Sequence, residues 1–260
     1  MERVLITGAA GDIGGRLRRT LKGVYPHLRL SDIEPLGEAG DGEELDRTDL
    51  TDMARVERMC EGVDGIVHLG GMSTEAPWEV IRDVNFAGTF NLFEAARRQG
   101  VKRIVFATSN HAVGYYGRDQ VIDHEVVVRP DSRYGLSKAF GEALGALYAD
   151  KHGLGVLCIR IGNVNDRPID GRRLAIWISP RDLTQLVRIG LERPGLHFEI
   201  VYGVSDNARS WYDNRNAFRL GYQPEDRGED FAEAVLADEP AVDPDDPGEI
   251  YQGGHLVIED

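Results

Sequence analysis

Tyr134-Gly-Leu-Ser-Lys138 and Ser109 are the residues of this chain whose types and spacing could carry proton chemistry. Four positions apart on a helix, a tyrosine and a lysine share one face. An ammonium close to a phenol favours the phenolate, lowering a tyrosine pKa from about 10 toward the range useful for proton abstraction. The helix begins just after the Arg129-Pro130-Asp131-Ser132 break, and Leu136, Phe140, Ala143, Leu144 and Leu147 form its apolar stripe on another face. Ser109 closes the apolar run Arg103-Ile-Val-Phe-Ala-Thr-Ser109, with Asn110 and His111 directly behind it. In an open α/β sheet, the carboxyl ends of the strands are where ligands sit.

The elements that must position these groups begin at the N-terminus. Val4, Leu5 and Ile6 are a short apolar run of the kind a parallel strand buries on both faces, and Gly8, Gly11 and Gly14 follow at three-residue spacing before an amphipathic helix over 13–21. This reads as a dinucleotide site. One glycine allows a sharp turn, one a close approach to a pyrophosphate and one tight packing of helix on strand, while the helix N-terminus offers N–H groups to the phosphates. The second strand, His27-Leu-Arg-Leu-Ser-Asp32, ends in an acid placed to accept hydrogen bonds from the adenosine ribose; no arginine follows it to hold a 2′-phosphate, which favours NAD over NADP. Asp49-Leu50 lies where an adenine amino group could be bound, and helix capping explains Asp49 equally well. Gly65-Ile-Val-His-Leu-Gly-Gly71 is a further buried strand ending in glycines. A long helix is expected over 83–98, its apolar side made of Val84, Phe86, Phe90, Leu92, Phe93, Ala95 and Ala96, with Asn85 and Asn91 read as satisfied buried amides.

The chain has 260 residues, 30 basic and 44 acidic, a net charge of −14 that argues against nucleic-acid or anionic-membrane binding. Its two cysteines, Cys60 and Cys158, lack metal-site or disulfide spacing and read as reduced thiols, and no metal is expected. No secretory signal precedes the first strand and no apolar run approaches ~18 residues, so a cytoplasmic protein is expected. Strands and helices alternate without an internal repeat. The expected fold is therefore α/β, a Rossmann-type doubly wound parallel sheet. One domain is expected over 1–260, with 1–165 mainly an NAD-binding core. Residues 166–260 are expected to be mainly a small substrate cap and C-terminal elements: a helix over 180–191, a strand over 197–204 and short helices over 213–220 and 230–237. No second sheet can be drawn there, an acidic surface loop is expected over 238–249, and 250–259 lies back on the body.

Thr7-Gly-Ala-Ala-Gly-Asp-Ile-Gly14, Ser109 and Tyr134-x-x-x-Lys138, in this order, resemble the extended short-chain dehydrogenase/reductase superfamily over essentially the whole chain. The resemblance implies that Tyr134 is the general base or acid, that Lys138 holds the nicotinamide ribose and that Ser109 positions the reacting hydroxyl. It also implies that Gly8, Gly11, Asp12, Ile13, Gly14, Asp32, Asp49, Leu50, Leu69 and Gly70 hold NAD, together with Tyr134 and Lys138. Within the superfamily, His68-Leu-Gly-Gly-Met-Ser73, Ser109-Asn-His-Ala-Val-Gly-Tyr-Tyr116, Arg160-Ile-Gly-Asn163 and Trp211-Tyr-Asp213 are most similar to the bacterial uronate dehydrogenases. Those enzymes oxidise the C1 hydroxyl of cyclic galacturonate or glucuronate to an aldaro-lactone, passing hydride to NAD. This similarity implies that Ser73, Ser109, Asn110, His111 and Asn163 line the sugar and that Arg173 binds its carboxylate; Asn163 stands where that family often has serine. For His111 a loop role, and for Arg172 and Arg173 solvated charge, stay open; Arg173 precedes Leu174-Ala-Ile-Trp-Ile178, an apolar patch that could fix it over a pocket. The alternatives are a nucleotide-sugar epimerase or dehydratase, and a non-catalytic NAD-sensing protein. The long helices over 83–98 and 132–150 could pack across a two-fold axis in a homo-oligomer, or be covered within one chain.

Overall fold

The structure is a computed structural model that describes residues 1–237, 239, 243 and 245–259. Six strands, separated by helices except between the second and third, make up its first part: β1 (Arg3–Thr7), β2 (His27–Ser31), β3 (Glu43–Asp46), β4 (Gly65–His68), β5 (Arg103–Ser109) and β6 (Gly155–Ile161). Two short strands, β7 (Asn163–Val164) and β8 (Trp177–Ile178), precede β9 (Phe198–Gly203). The main sheet runs β3-β2-β1-β4-β5-β6-β9, every pair parallel. The order reverses between β2 and β4 at β1, which opens a crevice at the carboxyl ends, where Thr7, Ser31, His68 and Ser109 stand.

Because successive side chains of a strand face opposite ways, the sheet feeds two cores. Val4 and Ile6 pack on one face with α1 (Asp12–Leu21) and a later helix over residues 180–192, and Leu5 packs on the other with α2 (Met53–Met59) and the helices over residues 88–98 and 133–152. The helix expected over 83–98 is longer and irregular: α3 (Trp78–Val80) runs into a π-helical stretch, Ile81–Ala87, and then into α4 (Gly88–Arg98). π-Segments inside helices cluster at functional sites, and here the irregular stretch carries Asn85. Phe90, expected on the apolar side of this helix, is exposed.

α5 (Arg133–His152) is capped by the Ser132 side chain, which accepts from Gly135 N, and is ended by Gly153 in the left-handed region. Its orientation differs in part from the expected stripe: Leu144 is buried and Phe140 packs on the same core. Leu136 and Leu147 face outward, while Tyr134, Ser137, Lys138, Gly141, Glu142 and Gly145 face the sheet. A Cβ on Gly141 would stand 2.3 Å from the Phe106 ring, so small residues bring the helix close enough to seat Tyr134 and Lys138 over β5.

The last third is not only a cap. α6 (Gly171–Ile176) leads to β8, which pairs with β7 in a second, two-stranded sheet that hydrophobic patterning did not reveal because each strand is two residues long. α7 (Pro180–Glu192) then packs on α1, and β9 completes the main sheet, so these two belong to the core architecture. α8 (Arg215–Arg219), α9 (Ala232–Leu236) and α10 (Pro247–Ile250) follow. The loop expected over 238–249 falls partly outside the described residues, at 238, 240–242 and 244, and α10 occupies its end. Beyond it the tail lies back on the body: Gln252 N donates to Tyr116 O and Gly253 N to Gly114 O. Cys60 and Cys158 are buried and unpaired, and burial pushes both thiols well up in pKa. Among the described residues no helix is long and apolar enough to cross a membrane.

Candidate active site

A cavity of about 690 Å³ runs along the carboxyl ends of the strands from Asp32 to Tyr134. Gly8, Gly11, Asp12, Ile13, Gly14, Asp32, Asp49, Leu50, Leu69 and Gly70 line it at one end, and Ser73, Ser109, His111, Asn163, Tyr134 and Lys138 at the other. Residues more than a hundred positions apart thus meet in one groove.

The glycine loop has the shape its spacing demands. Gly8 has φ +68°, and a Cβ on Gly14 would stand 2.2 Å from Gly8 O, so neither position admits a side chain. Gly11 precedes α1 as a cap without a side chain, leaving the first N–H groups of the helix directed at the groove. Asp32 stands at the end of β2 and accepts from Ala10 N (2.9 Å) and Glu34 N (3.0 Å), which fixes the carboxylate beside the loop with lone pairs still available. Asp49 is not the helix cap: Asp52 caps α2 by accepting from Arg55 N, whereas Asp49 closes a turn by accepting from Thr51 N and Oγ1. Asp12 pairs with Arg16 on the exposed side of α1.

Leu69 and Gly70 owe their position to two residues that the sequence reading left without a role. Thr7 Oγ1 accepts from Gly70 N (3.2 Å) and lies 2.8 Å from His68 Nδ1. Burial, then the nearby Lys138 charge, pushes the His68 pKa down to about 3, so its imidazole is neutral. Asn85 clamps the next turn: its Oδ1 accepts from Met72 N (2.8 Å), while Nδ2 donates to Met72 O (3.0 Å) and to Ser137 Oγ (2.9 Å) on α5. Glu75, also missed, bonds the Arg133 guanidinium and accepts from Tyr134 N (3.0 Å), tying the Ser73 loop to the start of α5. No local sequence signal marks it. Asn91, as expected, is satisfied by Leu50 O (2.9 Å).

At the reacting end, Lys138 Nζ donates to Ala107 O (2.9 Å) and lies 5.5 Å from the Tyr134 ring centre. Burial lowers the Lys138 pKa to about 8. The Tyr134 phenol is not lowered as the sequence reading expected. Burial pushes it up to about 12; a contact with the Ser109 side chain opposes the rise and the Asp131 charge adds to it. Ser109 Oγ accepts from His111 N (3.2 Å) and starts the turn Asn110–Val113. His111 stands edge-on to Tyr134 at 5.8 Å between ring centres, and its Nδ1 lies 2.7 Å from Oδ2 of the buried Asp131. Asn163 brings a buried Oδ1 with no hydrogen-bond partner among the described residues into the cavity wall, an acceptor suited to a hydroxyl. Asn110 does not line the cavity: it is buried, and its amide, assigned the orientation its neighbours favour, donates from Nδ2 to Ile161 O (3.1 Å) and accepts at Oδ1 from Arg172 (3.3 Å) inside the wall.

A second cavity, of about 810 Å³, meets the first at His111 and is lined by Arg118, Arg167, Arg172 and Arg173 together with several acids. Arg172 is committed to structure. It donates to Gln252 O and Gly253 O, and burial lowers its pKa to about 10. Arg173 instead points a half-exposed guanidinium to Asp170.

Compared with known proteins, residues 4–177 match the NAD dependent epimerase/dehydratase family. The chain belongs to that family. Within it, the chain belongs with the uronate dehydrogenases: it is 49% identical to the uronate dehydrogenase of Pseudomonas putida over 98% of this chain and 96% of that one. The glucuronic acid dehydrogenase of Chromohalobacter salexigens superposes with a TM-score of 0.98 at 46% identity, covering 100% of this chain and 97% of that one. A point mutant of the Agrobacterium tumefaciens uronate dehydrogenase, solved as a complex with NAD, gives a TM-score of 0.97 at 42% identity, covering 100% and 98%. As in that family, the fold here is Rossmann-type.

Proposed function

We propose that this uronate dehydrogenase family member oxidises the C1 hydroxyl of a cyclic uronic acid to the aldaro-lactone, using NAD. NAD, when bound, accepts the hydride released from C1. The groove fits it: Gly8, Gly11 and Gly14 line the cavity at the start of α1, whose N-terminal N–H groups suit the phosphates, and Asp32 suits the adenosine ribose. Asp49 and Leu50 border the adenine.

Ser109 holds the C1 oxygen, Tyr134 Oη takes its proton, and the Lys138 ammonium stabilises the resulting phenolate and holds the nicotinamide ribose. Moving the phenol into its working range from about 12 is the task of that ammonium, set by α5 and by Glu75 at its start. Ser73, His111 and Asn163 receive sugar hydroxyls, and Arg173 receives the carboxylate. Asn110 supports this wall from behind.

The observation that carries the reading is that His111 lines both cavities, one holding Ser109, Tyr134 and Lys138 and the other Arg173. A substrate with C1 in the first and an anionic end in the second is a small sugar acid. Residues 1–165 serve mainly the cofactor, and the segment from 166 contributes the substrate wall as well as α7 and β9. Phe90, Leu136 and Leu147, apolar and exposed on the adjacent α4 and α5, support a homo-oligomer formed through these helices. The net charge of −14 argues against a nucleic-acid partner.

The test is Arg173→Ala. A charge-assisted bond worth about 1.5–3 kcal/mol corresponds to a roughly 10- to 150-fold loss in kcat/KM for galacturonate or glucuronate. Lysine, which cannot copy the two-pronged grip, rescues part of the loss. Slow oxidation of glucose or galactose stays unchanged; an equal loss on neutral sugars would make Arg173 structural.

A further inference from the structure

The Arg173 side chain is held in a way that a waiting carboxylate site would not require. Its Nη1 is bonded to Asp170, three residues earlier, and its Nε is shut away from solvent without a hydrogen-bond partner among the described residues. A charged donor left unpaired inside the protein is a costly arrangement. Asp170 is itself fixed: its Oδ1 accepts from Arg173 N at 2.7 Å and caps α6. If the pair parts, it is therefore the guanidinium that moves. Two neighbouring arginines have no such freedom, since Arg172 is bound to Gln252 O and Gly253 O, and Arg118 to Glu249, Gly248 O and Tyr251 O.

We infer that Asp170 is a place-holder for the substrate carboxylate: it occupies Arg173 in the empty site and is exchanged for the uronate when substrate binds. The inference rests on the reading that Arg173 receives that carboxylate. Exchange keeps the guanidinium paired throughout, so that a cation facing a half-covered cavity is never left alone. It also sharpens selection. A neutral sugar has nothing with which to displace Asp170, and Arg173 then stays turned away from it. The cavity is also rich in acids, Glu239, Asp243, Asp246 and Glu249 among them, so an anionic substrate gains from a cation released at the right place.

Asp170→Asn removes the competing charge and keeps a good helix cap, and Asp170→Ser does the same with a shorter side chain. Both variants should lower the KM for galacturonate or glucuronate roughly 2- to 5-fold, the range expected for losing a partly exposed ion pair, with the KM for NAD unmoved and thermal stability retained. In an Arg173→Ala background the same substitution should leave the uronate KM where Arg173→Ala alone put it. A raised or unchanged KM in the single variants overturns the proposal and makes Asp170 a residue that orients Arg173. A gain that persists without Arg173 also overturns it, pointing to general relief of negative charge. If Arg173→Ala itself spares uronate kcat/KM, the carboxylate reading fails and the place-holder with it.

Discussion

Lys138 Nζ donates to the carbonyl oxygen of Ala107 at 2.9 Å, so the ammonium beside Tyr134 is anchored to β5, two residues before Ser109. One strand end therefore carries the hydroxyl and aims the cation, and a shift of α5 along β5 would move all three groups out of register. The expected outcome of Tyr134→Phe is loss of turnover by about 10²–10⁴-fold with NAD still bound, measured by NADH formation and by cofactor titration. Lys138→Met should cut turnover and move the rise of kcat to higher pH, because burial already holds the phenol near 12 and no nearby cation would then oppose it.

Cofactor choice follows from Asp32, whose carboxylate is fixed at the loop by Ala10 N and Glu34 N. Asp32→Ala should narrow the preference for NAD over NADP by relieving repulsion of a 2′-phosphate. The ratio of kcat/KM for the two cofactors is the measurement, and an unchanged ratio would mean that the acid does not face the ribose.

Glu75 joins the Ser73 loop to the start of α5 through Arg133 and Tyr134 N. Glu75→Ala should cost about 1–3 kcal/mol of stability by leaving a buried N–H unpaired, and should raise the uronate KM more than the KM for NAD. Denaturant unfolding and steady-state kinetics read the two effects separately.

His68 makes stability depend on acid. Its folded-state pKa, about 3, lies below the ordinary value of 6.5, so the unfolded chain takes up the proton first as pH falls. Its contribution is complete above 6.5 and is lost progressively toward 3, at up to ~1.4 kcal/mol per pH unit. His68→Gln should flatten that part of the stability curve relative to the wild type, as measured by denaturant unfolding across pH 3–7.

What the sequence determined by itself is local. Gly8, Gly11 and Gly14 announce their loop because each glycine answers a backbone demand within a few residues, and Tyr134 and Lys138 share a face because helix geometry places them together whatever the surroundings. The alternation of strands and helices is likewise enough for a parallel doubly wound sheet. Tertiary structure decided everything that depends on a partner far along the chain. Part of the expected α5 stripe turned outward because Gly141 and Gly145, not Leu136 and Leu147, fit against β5 and β6, while Leu144 stayed in the core. What separates Arg172 from Arg173 also lies far along the chain: Gln252 and Gly253, eighty residues away, bind the first through their carbonyl oxygens, whereas the second bonds Asp170. Asp131 behind His111 and Glu75 beneath Tyr134 carry no local signal, since a carboxylate finds its donors only when the chain has folded to bring them within about 3 Å.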